Sequence, residues 1–135
     1  MPSKPELGQR LTDSVMKMDA AACAACYAPD AELVSPNGVV RGREEIREFF
    51  DGWFQAFDDH EITDEFSEEG DVLVCHSVAK LTHVAPATLS TGQTVEATGR
   101  RVTVHAVERL TFQDNLIKTH NMEFDPQELA DQLTG

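Results

Sequence analysis

A regular alternation of apolar and polar residues in the last third of the chain constrains the fold most. Between residues 101 and 112 the even positions are apolar with one exception, whereas the odd positions are mostly polar. Because successive side chains of an extended chain point to opposite faces, this pattern predicts a strand with one buried face. A similar run at residues 116–124 follows the turn-forming residues 113–115. The two runs are therefore predicted to form one β-hairpin.

One ionisable residue interrupts the apolar face of each predicted strand. Glu108 interrupts the first strand and His120 the second. The two apolar faces must coincide across the hairpin, and the turn favours a register with Phe112 opposite Leu116. This register places Glu108 directly opposite His120, where cross-strand Cβ atoms are about 5 Å apart. The sequence therefore predicts a hydrogen-bonded Glu108–His120 pair in an apolar pocket.

Such a pair is suited to proton transfer. Burial raises the pKa of a carboxyl group and lowers that of an imidazole, while attraction between the ionised groups acts in the opposite direction. Whichever of these two effects is larger, the pair can titrate near neutral pH and take part in general acid–base catalysis. A buried ion pair that only fixes the strand register is the alternative. A metal site that also includes His76 is a further alternative, but we predict neither a metal nor a cofactor.

Helical patterns dominate the first half of the chain. Apolar residues at helical spacing predict a helix over residues 7–18, and an Ala-rich helix over residues 20–28 is predicted between a cap at Asp19 and Pro29. Two extended runs, residues 31–35 and 39–41, are predicted to form a small outlying ribbon.

The strongest helical pattern covers residues 42–57 and buries a wide aromatic stripe. One or two of its aromatic residues, Trp53 among them, are expected to line a pocket. The stripe consists of Ile46, Phe49, Phe50, Trp53, Phe54 and Phe57.

The remaining patterns predict strands and one short helix. Strands are expected at residues 61–67, 72–84, 95–112 and 116–124, with a connection at residues 85–94. His60, His83 and His105 are expected in a loop, at a strand end and on an outward face, respectively. Asp125 and Pro126 then begin a helix. We predict a single α+β domain over residues 1–135, since no segment resembles a linker.

Composition excludes several classes of partner. The 11 basic and 24 acidic residues give a net charge of −13, which repels nucleic acid and anionic membrane surfaces. The chain has neither an apolar stretch of about 20 residues nor a signal-peptide core, so we expect a cytoplasmic protein. The chain has an odd number of cysteines, namely Cys23, Cys26 and Cys75. We predict that they are small core residues rather than a disulfide framework or a zinc site.

Several short motifs, in their order and spacing, resemble a SnoaL-like domain of the nuclear transport factor 2 (NTF2-like) superfamily. The resemblance begins at residues 27–31, 35–38 and 42–46 and continues to residues 131–133. It implies a cone-shaped α+β barrel, in which a strongly curved, mostly antiparallel sheet wraps around helices and an internal apolar pocket. It also implies a small hydrophobic ligand and a homodimer.

The resemblance carries expectations for individual residues. Polyketide cyclases of this kind place an acid/base Asp at the position of Met122 and a His at that of Glu108. Ketosteroid isomerases place their base Asp at Ser35 and a protonated Asp at Glu108. Catalytic roles are therefore predicted for Glu108 and His120. The predicted substrate-binding residues are Tyr27, Ser35, Trp53, His76 and Met122.

Two functions follow from these observations. The first is a cofactor-independent isomerase or lyase that performs isomerisation, dehydration or aldol-type cyclisation on a hydrophobic carbonyl or hydroxyl compound. The second is a non-catalytic ligand-binding or dimeric assembly module, because Met122 and Ser35 replace acid/base residues of the resembled enzymes.

Overall fold

The computed structural model describes residues 2–88 and 92–134 of the chain. Within these residues four helices and eight strands follow one another. The helices are α1 (Lys4–Met16), α2 (Ala20–Ala25), α3 (Arg43–Ala56) and α4 (Pro126–Thr134). The strands are β1 (Tyr27–Ser35), β2 (Gly38–Arg41), β3 (Phe57–Glu69), β4 (Val72–His83), β5 (Ala87–Thr88), β6 (Thr94–Val95), β7 (Arg101–Gln113) and β8 (Leu116–Phe124).

Six strands form one sheet in the order β2-β1-β8-β7-β4-β3, and β5 pairs separately with β6. Neighbouring strands of the large sheet are antiparallel, except that β1 and β8 run parallel. The register shifts in the β1–β8, β3–β4 and β7–β8 pairs. Such irregularities bend strands and increase their twist. The curved sheet and its helices confirm the predicted α+β fold.

Three helices cover one face of this sheet. Leu11 of α1, Cys23 of α2 and Phe50 of α3 share a buried cluster with Leu33 of β1 and Leu110 of β7. Each fully buried side chain of this size contributes about 1.5–3 kcal/mol of hydrophobic stabilisation. The cluster fixes the helices over the sheet.

A glycine allows α1 to approach the sheet closely. A Cβ atom at Gly8 would lie 2.8 Å from side-chain atoms of both Leu73 and Phe66, which is too short for non-bonded carbon atoms. The missing side chain therefore lets the helix pack against β3 and β4. This approach brings Thr12, one turn further along α1, to the inner face of the sheet.

The last helix closes a second buried cluster. Leu129 and Leu133 of α4 pack with Phe57, Leu81 and Val102. Asp125 Oδ1 accepts a hydrogen bond of 2.9 Å from the backbone N–H of Gln127. This contact satisfies a free donor of the first turn and confirms the predicted start of the helix.

Two predictions about residues 20–41 were wrong. The second helix ends at Ala25, and the chain passes through Pro29 in an extended conformation as part of β1. Proline lacks a backbone N–H, and Pro29 falls where the β1–β8 register is interrupted between Tyr27 and Glu32. In addition, β1 and β2 are not an outlying ribbon, because β1 pairs with β8 inside the large sheet.

Two further boundaries differ from the predictions. The strand expected over residues 95–112 begins only at Arg101, and Val95 belongs to the short β5–β6 pair. His60 lies within β3 and is buried, whereas a loop position was expected. Residues 89–91 of the expected connection lie outside the described residues.

Candidate functional site

A cavity of about 120 Å³ lies between the helices and the inner face of the sheet. This volume is close to the roughly 150 Å³ of an engineered apolar cavity that binds benzene, so the cavity can hold a small organic molecule. Phe49, Phe50 and Trp53 of α3 form part of its wall. Leu11, Ile62 and Leu81 add further apolar surface from other elements. The cavity is therefore mainly apolar, as small-molecule sites usually are.

A continuous series of hydrogen bonds crosses the sheet at this cavity. We call it the polar chain; its members are Tyr27, His120, Glu108, Ser77, Asp64 and Thr12. The Tyr27 hydroxyl lies 2.7 Å from His120 Nδ1, and His120 Nε2 lies 2.7 Å from Glu108 Oε1. Ser77 Oγ lies 2.8 Å from Glu108 Oε2 and 2.5 Å from Asp64 Oδ1.

The other carboxylate oxygen of Asp64 accepts a hydrogen bond from the Thr12 hydroxyl. Each of the six members comes from a different element, namely β1, β8, β7, β4, β3 and α1 in the order given. The polar chain therefore forms only when all five strands and the first helix are in place.

The Glu108–His120 contact is present, but the predicted strand register is wrong. Glu108 pairs with Met122, and His120 pairs with Leu110. Asp114 and Asn115 have φ angles of 54° and 63°, as in a two-residue type I′ turn. After this turn the register shifts at Thr111. The residue numbers of the pairs beyond the shift have an even sum, so the apolar faces of both strands point inward. Glu108 and His120 are consequently diagonal neighbours, which is still close enough for a hydrogen bond.

Burial and neighbouring charges fix the proton positions along the first half of the polar chain. Burial, with a smaller effect from Glu108, holds the pKa of Tyr27 well above its ordinary value, so the phenol keeps its proton. Burial also acts to raise the pKa of Glu108. Hydrogen bonds from His120 and Ser77, together with the attraction that the imidazolium form of His120 would exert, outweigh it and leave that pKa below its ordinary value.

These states define the tautomer of His120. Ionised Glu108 can only accept, so Nε2 of His120 carries the proton that is donated to Oε1. When His120 is neutral, its Nδ1 accepts the hydrogen bond from the Tyr27 hydroxyl. His120 is hydrogen-bonded through both ring nitrogens. Its side chain is 1% exposed, whereas that of Glu108 is 18% exposed. The arrangement presents an oriented carboxylate to the cavity.

The structure brings some of the predicted site residues together and separates others. Trp53 and Met122 line the cavity with Glu108 and His120. Tyr27 is fully buried behind His120 and is not part of the cavity wall.

Ser35 and His76 do not reach the cavity. Ser35 lies at the end of β1, where its hydroxyl accepts a hydrogen bond of 3.2 Å from the backbone N–H of Asn37. The odd positions of β4, such as Cys75 and Ser77, point inward, so His76 is exposed on the opposite face. His76 therefore cannot form the metal site considered with Glu108 and His120.

Sequence reasoning missed Asp64, Ser77 and His60, all of which line the cavity. Asp64 lies between Ile62 and Phe66 on the inward face of β3. This is the same signal that identified Glu108, a single acid among apolar residues at alternate positions. Ser77 carried no such signal because both faces of β4 are fairly apolar.

Asp64, Cys75 and Glu108 form a cluster whose potential ligand atoms lie within 4.8 Å of one another. The centre of this cluster is taken by Ser77 Oγ, which also lies 3.2 Å from Cys75 Sγ. Burial raises the pKa of the Cys75 thiol, and a protonated thiol is a poor metal ligand. The geometry thus favours a hydrogen-bonded cluster over a metal centre.

Comparison with known proteins identifies related sequences and folds. The sequence profile of the SnoaL-like domain family matches residues 9–120. No functionally curated protein shows significant sequence similarity to the chain. In the described part of the chain, no helix combines the length and apolar character needed to cross a membrane.

Three solved structures illustrate the similarity of fold. TsrD from Streptomyces laurentii has a TM-score of 0.79 and 24% identity, with 99% of this chain and 98% of TsrD covered. A SnoaL-like polyketide cyclase candidate from Jannaschia sp. CCS1 has a TM-score of 0.83 and 21% identity, with coverage of 100% and 97%. A protein from Catenulispora acidiphila with a ketosteroid isomerase-like fold, solved with trimethylamine, has a TM-score of 0.80 and 14% identity, with coverage of 97% and 94%.

Proposed function

Because this chain belongs to the SnoaL-like domain family, we propose that it is an enzyme that moves a proton on a small hydrophobic carbonyl or hydroxyl compound. The observation that carries the proposal is the Glu108 carboxylate, held by His120 and Ser77 at the edge of a mainly apolar cavity. A base that is ionised, oriented and partly shielded from water is what general base catalysis requires.

The position of Glu108 supports this role. The resembled cyclases carry their acid/base Asp where this chain has Met122. Glu108 is the direct cross-strand partner of Met122, and both line the same cavity. A carboxylate at residue 108 therefore faces the same ligand space from the neighbouring strand. The replacement of the Asp by Met122 moves the acid/base group without removing it.

In the proposed reaction, Glu108 takes a proton from a carbon atom next to a carbonyl group, or from a hydroxyl group. The proton passes to a carboxylate oxygen, and its bonding electrons stay on the substrate as an enolate or alkoxide. His120 keeps Glu108 oriented through its Nε2–H, and Tyr27 keeps His120 in the required tautomer. Isomerisation, dehydration and aldol-type cyclisation all begin with such a step.

Proton abstraction can be tested before the physiological substrate is known. The protein is incubated in D₂O with a panel of small cyclic ketones, and deuterium incorporation next to the carbonyl group is measured by mass spectrometry. Glu108→Gln keeps the size and polarity of the side chain but cannot accept a proton in this way. We expect it to slow exchange by about 100-fold or more.

Glu123→Gln is the matched control, because Glu123 lies on β8 with its side chain exposed on the other face of the sheet. It should exchange at the wild-type rate. Equal rates for Glu108→Gln and the wild type would remove Glu108 from the mechanism. Ketones that bind, as shown by a thermal shift, without any exchange would instead favour the non-catalytic binding module. The homodimer implied by the family resemblance stays a proposal, which light scattering tests.

A further inference from the structure

With both of its carboxyl groups ionised, the second half of the polar chain would have fewer protons than its hydrogen bonds need. Ser77 Oγ lies within hydrogen-bond distance of two carboxylate oxygens, Glu108 Oε2 at 2.8 Å and Asp64 Oδ1 at 2.5 Å. A serine hydroxyl has one proton and can donate it to one of them. If both carboxyl groups were ionised, the other contact would bring two oxygen lone pairs together without a proton.

The surroundings make a doubly ionised pair more unfavourable still. The potential ligand atoms of Asp64 and Glu108 lie within 4.8 Å of each other, and like charges this close favour retention of a proton. Among the residues described as lining the cavity there is no Lys or Arg. The other titratable groups facing the pair are His120, His60, Tyr27 and Cys75. Of these, His120 is hydrogen-bonded to Glu108 but not to Asp64.

We propose that Asp64 and Glu108 hold one proton in common through the Ser77 hydroxyl, so that the site contains an acid and a base side by side. This inference rests on the proposed function and adds the group that returns the proton. One arrangement satisfies every contact of the pair. The Asp64 carboxyl donates to Ser77 Oγ, Ser77 donates to Glu108 Oε2, and Thr12 donates to the other oxygen of Asp64.

The arrangement gives a balanced proton cycle. Glu108 accepts a proton from one atom of the substrate, and the Asp64 carboxyl donates its own proton to another atom. Protonated Glu108 then donates to Ser77 Oγ while the Ser77 hydroxyl proton passes to Asp64, which restores both groups. No proton is gained or lost overall, as an isomerisation requires. Ser77 acts as the relay, and His120 keeps its tautomer throughout.

The shared proton can be measured on the ligand-free protein. Side-chain carboxyl carbons are labelled with ¹³C, in Asp and Glu separately, and their NMR shifts are followed from pH 4 to pH 8. We expect one carboxyl group of the wild type to remain protonated at pH 6, where an ordinary carboxyl group is ionised. Ser77→Ala and Glu108→Gln should each abolish this shifted titration.

Glu65→Gln is the control, because Glu65 is the next residue on β3 and is exposed on the opposite face. It should leave the shifted titration unchanged. The proposal is overturned if every carboxyl group of the wild type is ionised at pH 6. It is also overturned if the shifted group persists in either Ser77→Ala or Glu108→Gln. Since no substrate is used, either result leaves the deuterium-exchange test of Glu108 unaffected.

Discussion

The two walls of the cavity are built in opposite ways. The aromatic part of the apolar wall comes from one helix, where Phe49, Phe50 and Trp53 line the cavity and the ring centroids of Phe49 and Phe50 lie 5.4 Å apart. The polar chain takes each of its six residues from a different element. Helical spacing alone produces the aromatic part of the apolar wall, whereas the polar chain depends on the relative positions of five strands and α1. Changes to the apolar wall should therefore affect stability, and changes to the polar chain should affect proton positions.

The largest effect is expected from breaking the apolar wall. Phe50 is 4% exposed and contacts Tyr27, Phe49 and Phe54. Phe50→Ala should lower the free energy of unfolding by about 3–5 kcal/mol, because it removes buried area and leaves a cavity. Urea denaturation measures the change. Asp51→Ala, at an exposed position of the same helix, should change stability by less than about 0.5 kcal/mol. A similar loss for both variants would contradict the assignment of Phe50 to the core.

A smaller effect is expected from shortening the polar chain at Tyr27. Tyr27→Phe removes the hydroxyl that donates to His120 Nδ1 and leaves a buried acceptor without a partner. The free energy of unfolding should fall by about 1–3 kcal/mol. In the wild type, ¹⁵N NMR of neutral His120 should show its proton on Nε2, and the variant should alter that signal. The signal of exposed His105 is the internal control. Protonation of His120 at Nδ1 in the wild type would show that the tautomer is wrongly assigned.

The smallest effect is expected in the pH dependence of stability, through His60, which lines the cavity. Burial lowers the pKa of His60, whose Nε2–H donates to the Phe57 carbonyl. The folded protein thus excludes a proton that the unfolded chain binds below about pH 6.5. Stability should therefore fall as the pH drops below this value, by at most about 1.4 kcal/mol per pH unit.

His60→Gln keeps a donor and removes the titration, so the pH dependence of its unfolding free energy should be flatter. His76→Gln, which changes an exposed imidazole, is the matched control with which the slope of His60→Gln is compared. Identical slopes for the wild type and His60→Gln would mean that His60 is not held neutral by burial.

Features encoded by local spacing were predicted well. The aromatic helix was expected over residues 42–57 and occupies Arg43–Ala56, because one amphipathic pattern determines both its ends and its buried face. The alternation around Glu108 and His120 likewise identified two members of the polar chain, independently of the exact strand register.

Features that depend on distant partners were not predictable in this way. The register of the β7–β8 hairpin depends on a two-residue turn and a shift after Thr111, and neither changes the period of the pattern. The place of β1 beside β8 depends on a parallel pairing between segments far apart in sequence. The direction of His76 was ambiguous because Val74 and Val78 flank it as apolar neighbours on its own face.

The central place of β8 has a consequence for synthesis of the protein. β8 is the last described strand to leave the ribosome, yet it lies between β1 and β7. Without β8, the large sheet would be divided into β1–β2 and β3–β4–β7, each with an unpaired edge at the gap. Such edges invite association between nascent chains. A product that stops before residue 116 should therefore aggregate rather than retain partial activity.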